Sequence, residues 1–243
     1  MESEIALLKI IQKNAQLQQD GPGPSRVLVM SGPPLSGKSH LVGLIEKRVP
    51  GRFLLVRSDE VRPIVSKCLG RQRPAYDDIE HVTTFMVASE VVRAGLSLNW
   101  PVIVDATNLK EEFRRWAYVP ADDLKASTIV VFMQVTDEIA IARLSERDRD
   151  GSAATFNVYQ KLKYEMEPVD RCTRPYLVIN SDGDMRPHAK NLADWLTGKV
   201  DTVPGLKNRV HEGARGKGPA PGDAGKESKI TLVDFYTGEV MER

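Results

Sequence analysis

The sequence predicts a three-layer α/β fold: a central, mostly parallel five-stranded sheet with helices on both faces. Five short apolar segments, mostly rich in Val, Ile or Leu, recur at 27–30, 53–56, 102–104, 129–135 and 176–179. Runs of that length and composition suit strands buried on both faces. Helical stretches separate them, and a βαβαβ alternation with short loops implies parallel strands covered on each side. The hydrophobic content of 41% excludes a wholly disordered chain. No uncharged apolar run approaches the roughly 18 residues that a membrane-spanning helix needs.

At about 150 residues per domain, 243 residues make one to two domains. Residues 1–25 carry Leu7, Leu8, Ile11 and Ala15 at helical spacing and end in Gly21-Pro22-Gly23-Pro24, a breaker cluster. They form an appended helix that packs on the core or on a partner. Residues 26–200 form the main domain. After the strand at 27–30 come helices at 38–48, 60–69, 77–95, 109–117, 137–147, 156–166 and 187–196, with the other four strands between them. Residues 201–228, rich in Gly, Pro, Lys and Arg, are expected to be a flexible linker. In the tail, 229–243, Ile230 to Val240 resembles a strand and a turn, which either docks on the domain edge or binds a partner.

The strongest motif is Gly32-Pro33-Pro34-Leu35-Ser36-Gly37-Lys38-Ser39, a full match to GxxxxGK[ST] between a strand and a helix. Such a loop turns successive backbone N–H groups around a phosphate, and the next helix points its positive end at it. Lys38 adds charge at the β- and γ-phosphates, and the Ser39 hydroxyl ligates Mg²⁺. ATP and Mg²⁺ are the expected ligands.

Other residues separate a phosphate-transferring enzyme from a switch or motor. The strand at 53–56 runs into Arg57-Ser58-Asp59-Glu60-Val61-Arg62. Ligands of doubly wound sheets sit at the carboxyl ends of strands. Asp59 there can take the proton of an attacking hydroxyl, and Arg62, three residues on, shares its helical face. The alternative is a helix-capping Asp with a solvated Arg. The strand at 102–104 ends in Asp105-Ala106-Thr107-Asn108. Asp105 there either holds Mg²⁺ through water or orients Arg62; an Asx turn capping the next helix is the alternative. Arg143 and Arg147 lie at i, i+4, before the loop Asp148-Arg149-Asp150-Gly151-Ser152. They suit either a closing lid that neutralises phosphoryl charge or a solvated helix face.

In this order and spacing, GxPxSGKS, S-D-E-V-R, V-I-V-D-A-T-N and R-L-S-E-R resemble the P-loop 5′-hydroxyl polynucleotide kinases of the bacteriophage type, in a superfamily with zeta-toxin-like kinases. The resemblance spans about residues 27–170, including the helix after the lid. It implies a P-loop kinase fold with an Arg-bearing lid. Asp59 becomes the general base, Arg62 the acceptor contact, and Asp105 the support for Arg62. Arg147, with Arg143 beside it, becomes the donor-phosphate contact. Asn108 joins the acceptor side, and His40 follows the loop. Pro34 replaces a usual Gly and His40 a common Thr; neither change removes a chemical group.

Three functions fit these residues: a kinase acting on the 5′-OH of RNA or DNA, a kinase for a small molecule or nucleotide-sugar, and a P-loop ATPase adaptor without an acceptor. The net charge of +1 argues against a nucleic-acid coat, yet residues 26–75 hold ten Lys and Arg against three acids, a local +7. That favours an anionic ligand near the loop. Arg71 and Arg73 either meet a nucleic-acid backbone or sit in a plain surface loop. Cys68 and Cys172 have no CxxC spacing, and the Met-Glu-Ser-Glu start has no basic segment; both suit a cytoplasmic protein without a membrane partner. His40, His81, His188 and His211 lack metal-ligand spacing. Trp100, Trp116 and Trp195 suit core or interface.

Overall fold

A computed structural model describes residues 23–147, 156–208, 231–233 and 240–242. Five strands form the sheet: β1 (Arg26–Ser31), β2 (Leu54–Arg57), β3 (Val102–Asp105), β4 (Ser127–Gln134) and β5 (Tyr176–Asn180). Their order is β2-β3-β1-β4-β5, and every neighbouring pair is parallel. All five strands therefore end at one edge, where the loops after β1, β2 and β3 gather.

Successive side chains of a strand point to opposite faces. Leu28 and Met30 of β1 and Ile129, Val131 and Met133 of β4 enter one core cluster; Val27 and Val29, with Val130 and Phe132, enter the other. The first cluster is closed by α1 (Lys38–Arg48) and α7 (Arg186–Leu196). The second is closed by α2 (Ser58–Cys68), α3 (Asp78–Ser97) and α4 (Glu111–Asp123). Two further helices, α5 (Asp137–Arg147) and α6 (Phe156–Tyr164), precede and follow residues 148–155. This is the expected three-layer architecture.

Most elements shift by one to three residues from the expected ranges, and two boundaries shift further. Helix α4 runs to Asp123 rather than 117, through Pro120. A proline cannot donate to the carbonyl four residues back. Here the Ser89 hydroxyl donates instead to that carbonyl, Trp116 O, at 2.8 Å. The main domain also continues past residue 200. Arg26 of β1 donates to Val200 O at 2.6 Å and Asp201 Oδ1 at 2.9 Å. Val203 joins the core, and Lys207 bridges Tyr176. So 201–208 belong to the folded unit rather than to a linker. The appended helix at 1–25 lies outside the described residues up to residue 22.

The second compact unit, 210–243, is described only as a short antiparallel pair, β6 (Thr231–Val233) and β7 (Val240–Glu242), with Thr231 opposite Glu242. A strand and a turn were expected there. No helix among the described residues is long and apolar enough to cross a membrane.

Candidate active site

The loop after β1 has the geometry of a phosphate cradle. Gly32 (φ +148°), Leu35 (φ +64°) and Gly37 (φ +86°) lie in backbone regions that turn consecutive N–H groups inward. A Cβ on Gly32 would come within 2.7 Å of Met133 O, so the close pass over β4 requires glycine. Helix α1 starts at Gly37 with no side-chain cap and no acid in its first turn, leaving its N-terminal N–H groups to a ligand. Pro33, Leu35 and Ser36 are buried, and Pro34 is half-buried. Lys38 is 8% exposed and donates to Gly32 O and Pro33 O at 2.9 and 2.8 Å, two buried bonds within the loop. Ser39 and His40 are exposed. The loop after β3 braces the cradle, since Gly32 N–H donates to Thr107 O at 2.9 Å.

Asp59 opens α2 at the same sheet edge. It is exposed and takes no hydrogen bond or ion pair among the described residues. A proton acceptor beside a substrate hydroxyl needs that freedom.

The structure pairs Arg62 and Asp105 differently from the expectation. Asp105 is 6% exposed and accepts from Arg57 Nε at 3.4 Å. Arg57 and Asp105 are register partners on β2 and β3, so parallel pairing sets them side by side. Arg62, 8% exposed, donates to Glu80 Oε1 at 3.3 Å, and its guanidinium lies over the Tyr76 ring, 4.9 Å from the centroid. Asp105 is therefore the partner of Arg57, and Glu80 that of Arg62.

Glu80 is fully buried and gathers five donors. Ser66 Oγ stands at 2.6 Å, Ala75 N–H at 2.9 Å, Arg71 at 3.2 Å, and Arg62 and Tyr76 N–H at 3.3 Å. Burial pushes its pKa up, but the Ser66, Ala75, Arg62 and Tyr76 hydrogen bonds outweigh burial and hold it at about 2. This carboxylate ties α2, the 69–77 loop and α3 into one unit. The Asp77-x-x-Glu80 spacing carried a signal, since such a pair marks a helix start. Asp77 does cap α3 by accepting from Glu80 N–H at 2.9 Å, yet the Glu80 carboxylate turns to Arg62 instead of back to the cap. His81 packs edge-on against Phe85 and Phe113, each 4.8 Å away. Burial, then the Arg62 charge, lower its pKa.

Asn108 is not turned toward an acceptor. It is 2% exposed, and its Nδ2 donates to Met30 O at 2.8 Å. Its own carbonyl accepts from Ser31 Oγ and from buried Arg114, both at 2.9 Å. Asn108 thus ties the loop after β3 to β1, and its φ of +44° suits asparagine. Arg143 binds carbonyls of the fold: Leu35 O at 2.9 Å and Ser181 O at 2.7 Å, plus Ser181 Oγ at 2.8 Å. It clamps the cradle to the loop after β5. Arg147 ends α5, but its side chain and the loop 148–155 lie outside the described residues.

The basic excess of residues 26–75 also changes meaning in three dimensions. Arg26, Arg57, Arg62 and Arg71 pair with Asp201, Asp105, Glu80 and Asp77, all outside that segment. Four of its ten cations are therefore compensated by the fold.

Ser39, in the first turn of α1, and Asp105, at the end of β3 beside β1, carry the hard oxygen donors that Mg²⁺ takes. The donor set fits such an ion, with Asp105 shared between it and Arg57. No cluster of three or more His, Cys, Asp or Glu suited to a metal occurs among the described residues.

Parallel sheet, cradle and sheet-edge carboxylates together define a P-loop kinase fold. The chain belongs to the AAA domain family, whose model matches residues 27–169. Solved structures of similar fold include a candidate kinase from Chloroflexus aurantiacus (TM-score 0.58, 14% identity, covering 74% of this chain and all of that one). The Mycobacterium tuberculosis APS kinase (0.52, 20%, 72% and 99%) and a gluconokinase from Sinorhizobium meliloti (0.51, 17%, 73% and 96%) are others. No curated protein matches the chain.

Proposed function

We propose that this chain is an ATP-dependent kinase acting on a hydroxyl, with the 5′-OH of RNA or DNA as acceptor. The observation that carries it is the exposed, uncommitted Asp59 at the sheet edge that holds the phosphate cradle. The acceptor oxygen attacks the γ-phosphorus and forms a new P–O bond. The bond to the bridging β–γ oxygen breaks, ADP leaves with its electron pair, and the hydroxyl proton passes to Asp59. Lys38 leaves its loop carbonyls for the β- and γ-phosphate oxygens, and Arg147 adds charge from the lid. Ser39 and Asp105 would hold Mg²⁺, which would supply charge neutralisation at the phosphates.

The sequence motif order favours a 5′-OH end. One observation favours a second reading, a small-molecule acceptor: four of the ten cations in residues 26–75 are paired with acids, leaving less basic surface for a polynucleotide backbone. Two structures of similar fold are named as kinases for APS and gluconate, so the fold itself serves small acceptors. Incubation with labelled ATP and a pool of 5′-OH RNA, 5′-OH DNA and small hydroxyl compounds tests both. Label on oligonucleotides is expected. Label only on a small molecule replaces the first reading with the second, and free phosphate alone rejects a kinase. Asp59→Asn is expected to lower transfer by about 10²- to 10⁴-fold.

A further inference from the structure

We propose that Tyr76 is the platform on which the base of the acceptor's terminal nucleoside stacks. This rests on the 5′-OH reading above and names how that site recognises its substrate. Four observations lead to it.

Arg62, expected to meet the acceptor, is 8% exposed and covered by Tyr76, whose own exposure is 68%. An acceptor approaching Asp59 along this face of α2 therefore meets the tyrosine ring before the guanidinium.

The ring is held out deliberately by the backbone. Tyr76 has φ +56°, a conformation a bulky side chain rarely adopts. Its N–H and that of Ala75 are pinned on the buried Glu80 carboxylate. A bulky residue in this region persists only where its surroundings over-determine it, and such positions cluster at ligand clamps.

A cluster of rings stands on the helices that this loop enters. His81 packs edge-on against Phe85 and Phe113 at the start of the same helix pair.

A cation stands close by in the chain. Arg73 is exposed and makes no ion pair among the described residues. An exposed ring with a free cation three residues away matches how single strands are held: stacking for the base, charge for the phosphodiester.

The test uses 5′-OH DNA oligonucleotides that end in a normal nucleoside or in an abasic sugar. Wild type, Tyr76→Gly and Tyr76→Phe are compared. Glycine accepts φ +56° and so removes the ring without straining the loop; thermal melts confirm that each variant folds. Transfer is read as kcat/KM, and binding without ATP is read by fluorescence polarisation. Wild type should favour the base-bearing end by about fivefold or more, the smallest effect expected of one stacked base. Tyr76→Gly should erase that preference by losing only the base-bearing substrate, and Tyr76→Phe should keep it. Equal losses on both ends mean that the ring packs on sugar or merely shields Arg62, and overturn the proposal, as does an unchanged preference in Tyr76→Gly. Transfer without base preference overturns stacking and leaves the 5′-OH kinase standing. Base-dependent binding that Tyr76→Gly abolishes, without transfer, does the reverse. Neither transfer nor base-dependent binding overturns both.

Discussion

The two sides of the candidate site are built in different ways. The donor side, around Gly32 to Ser39, is mainly backbone: N–H groups turned inward by positive φ angles, braced by carbonyls of neighbouring loops. The acceptor side, around Arg62 and Tyr76, is side chain held on one buried carboxylate, Glu80. A backbone site is written in contiguous residues, because each φ angle and each helix start has a local sequence cause. A side-chain site depends on partners distant in sequence, such as the Arg62–Glu80 pair, 18 residues apart. The donor side should therefore fail in chemistry when broken, and the acceptor side in positioning and stability.

The largest effect is expected from Lys38→Ala. The lysine is the charge that the cradle aims at the transferring phosphate, and loss of one preorganised donor costs about 10²- to 10³-fold in kcat. Melting temperature should fall less than for a charge pair that ties separate helices, since the lysine's buried bonds to Gly32 O and Pro33 O stay within one loop. Stopped-flow or steady-state assays with ATP, beside a thermal melt, check both halves. A large fall in Tm with kcat retained would reverse the contrast between the two sides.

Glu80→Gln should do the opposite. Removing one partner of a buried charge pair costs about 3 kcal/mol or more. At roughly 2–4 °C per kcal/mol for a unit of this size, Tm should drop by about 10 °C. With Arg62 and the Tyr76 backbone released, KM for the acceptor should rise while KM for ATP stays. Equal rises in both KM values would mean that Glu80 supports the whole sheet edge rather than the acceptor side.

The same contrast explains what could be read in the sequence. The five strands, the cradle, and helices 38–48 and 137–147 follow from local pattern. The structure departs from local pattern mainly where long-range partners intervene. Asp105 was expected to support Arg62, but sheet register gives it to Arg57. Asn108 looked like an acceptor contact because of its place in V-D-A-T-N, yet Met30 O takes its amide. The helix expected at 109–117 runs on through Pro120, and only the packing of Ser89 shows how α4 passes it. The +7 of residues 26–75 counted charge along the chain, whereas acids from elsewhere fold onto four of those arginines. A smaller effect sharpens the comparison within the donor side. Asn108→Ala leaves Met30 O without its donor and puts alanine at φ +44°, at a cost of about 2 kcal/mol. Urea melts measure it; Asn108→Gly, free of the backbone strain, should lose less.

The least change is expected near neutral pH and the clearest in acid. Glu80 titrates at about 2, below the usual carboxylate range near 4.5, because four hydrogen bonds outweigh its burial. A lowered carboxylate pKa adds stability that is complete above the unfolded value and is lost as pH falls toward the folded one. Its contribution should therefore fade between about 4.5 and about 2. His81 acts in a different window. Its pKa is lowered from 6.5, so the unfolded chain takes up a proton first and stability falls as pH drops below about 6.5. Urea melts of wild type, Glu80→Gln and His81→Phe at pH 7, 5.5, 4.5 and 3 separate the two. Glu80→Gln should lack the loss below 4.5, whereas His81→Phe should lack the loss just below 6.5. A Glu80→Gln curve parallel to wild type through the acid range would mean that the carboxylate is not held by its hydrogen bonds, and the acceptor side would lose the anchor that sets it apart from the cradle.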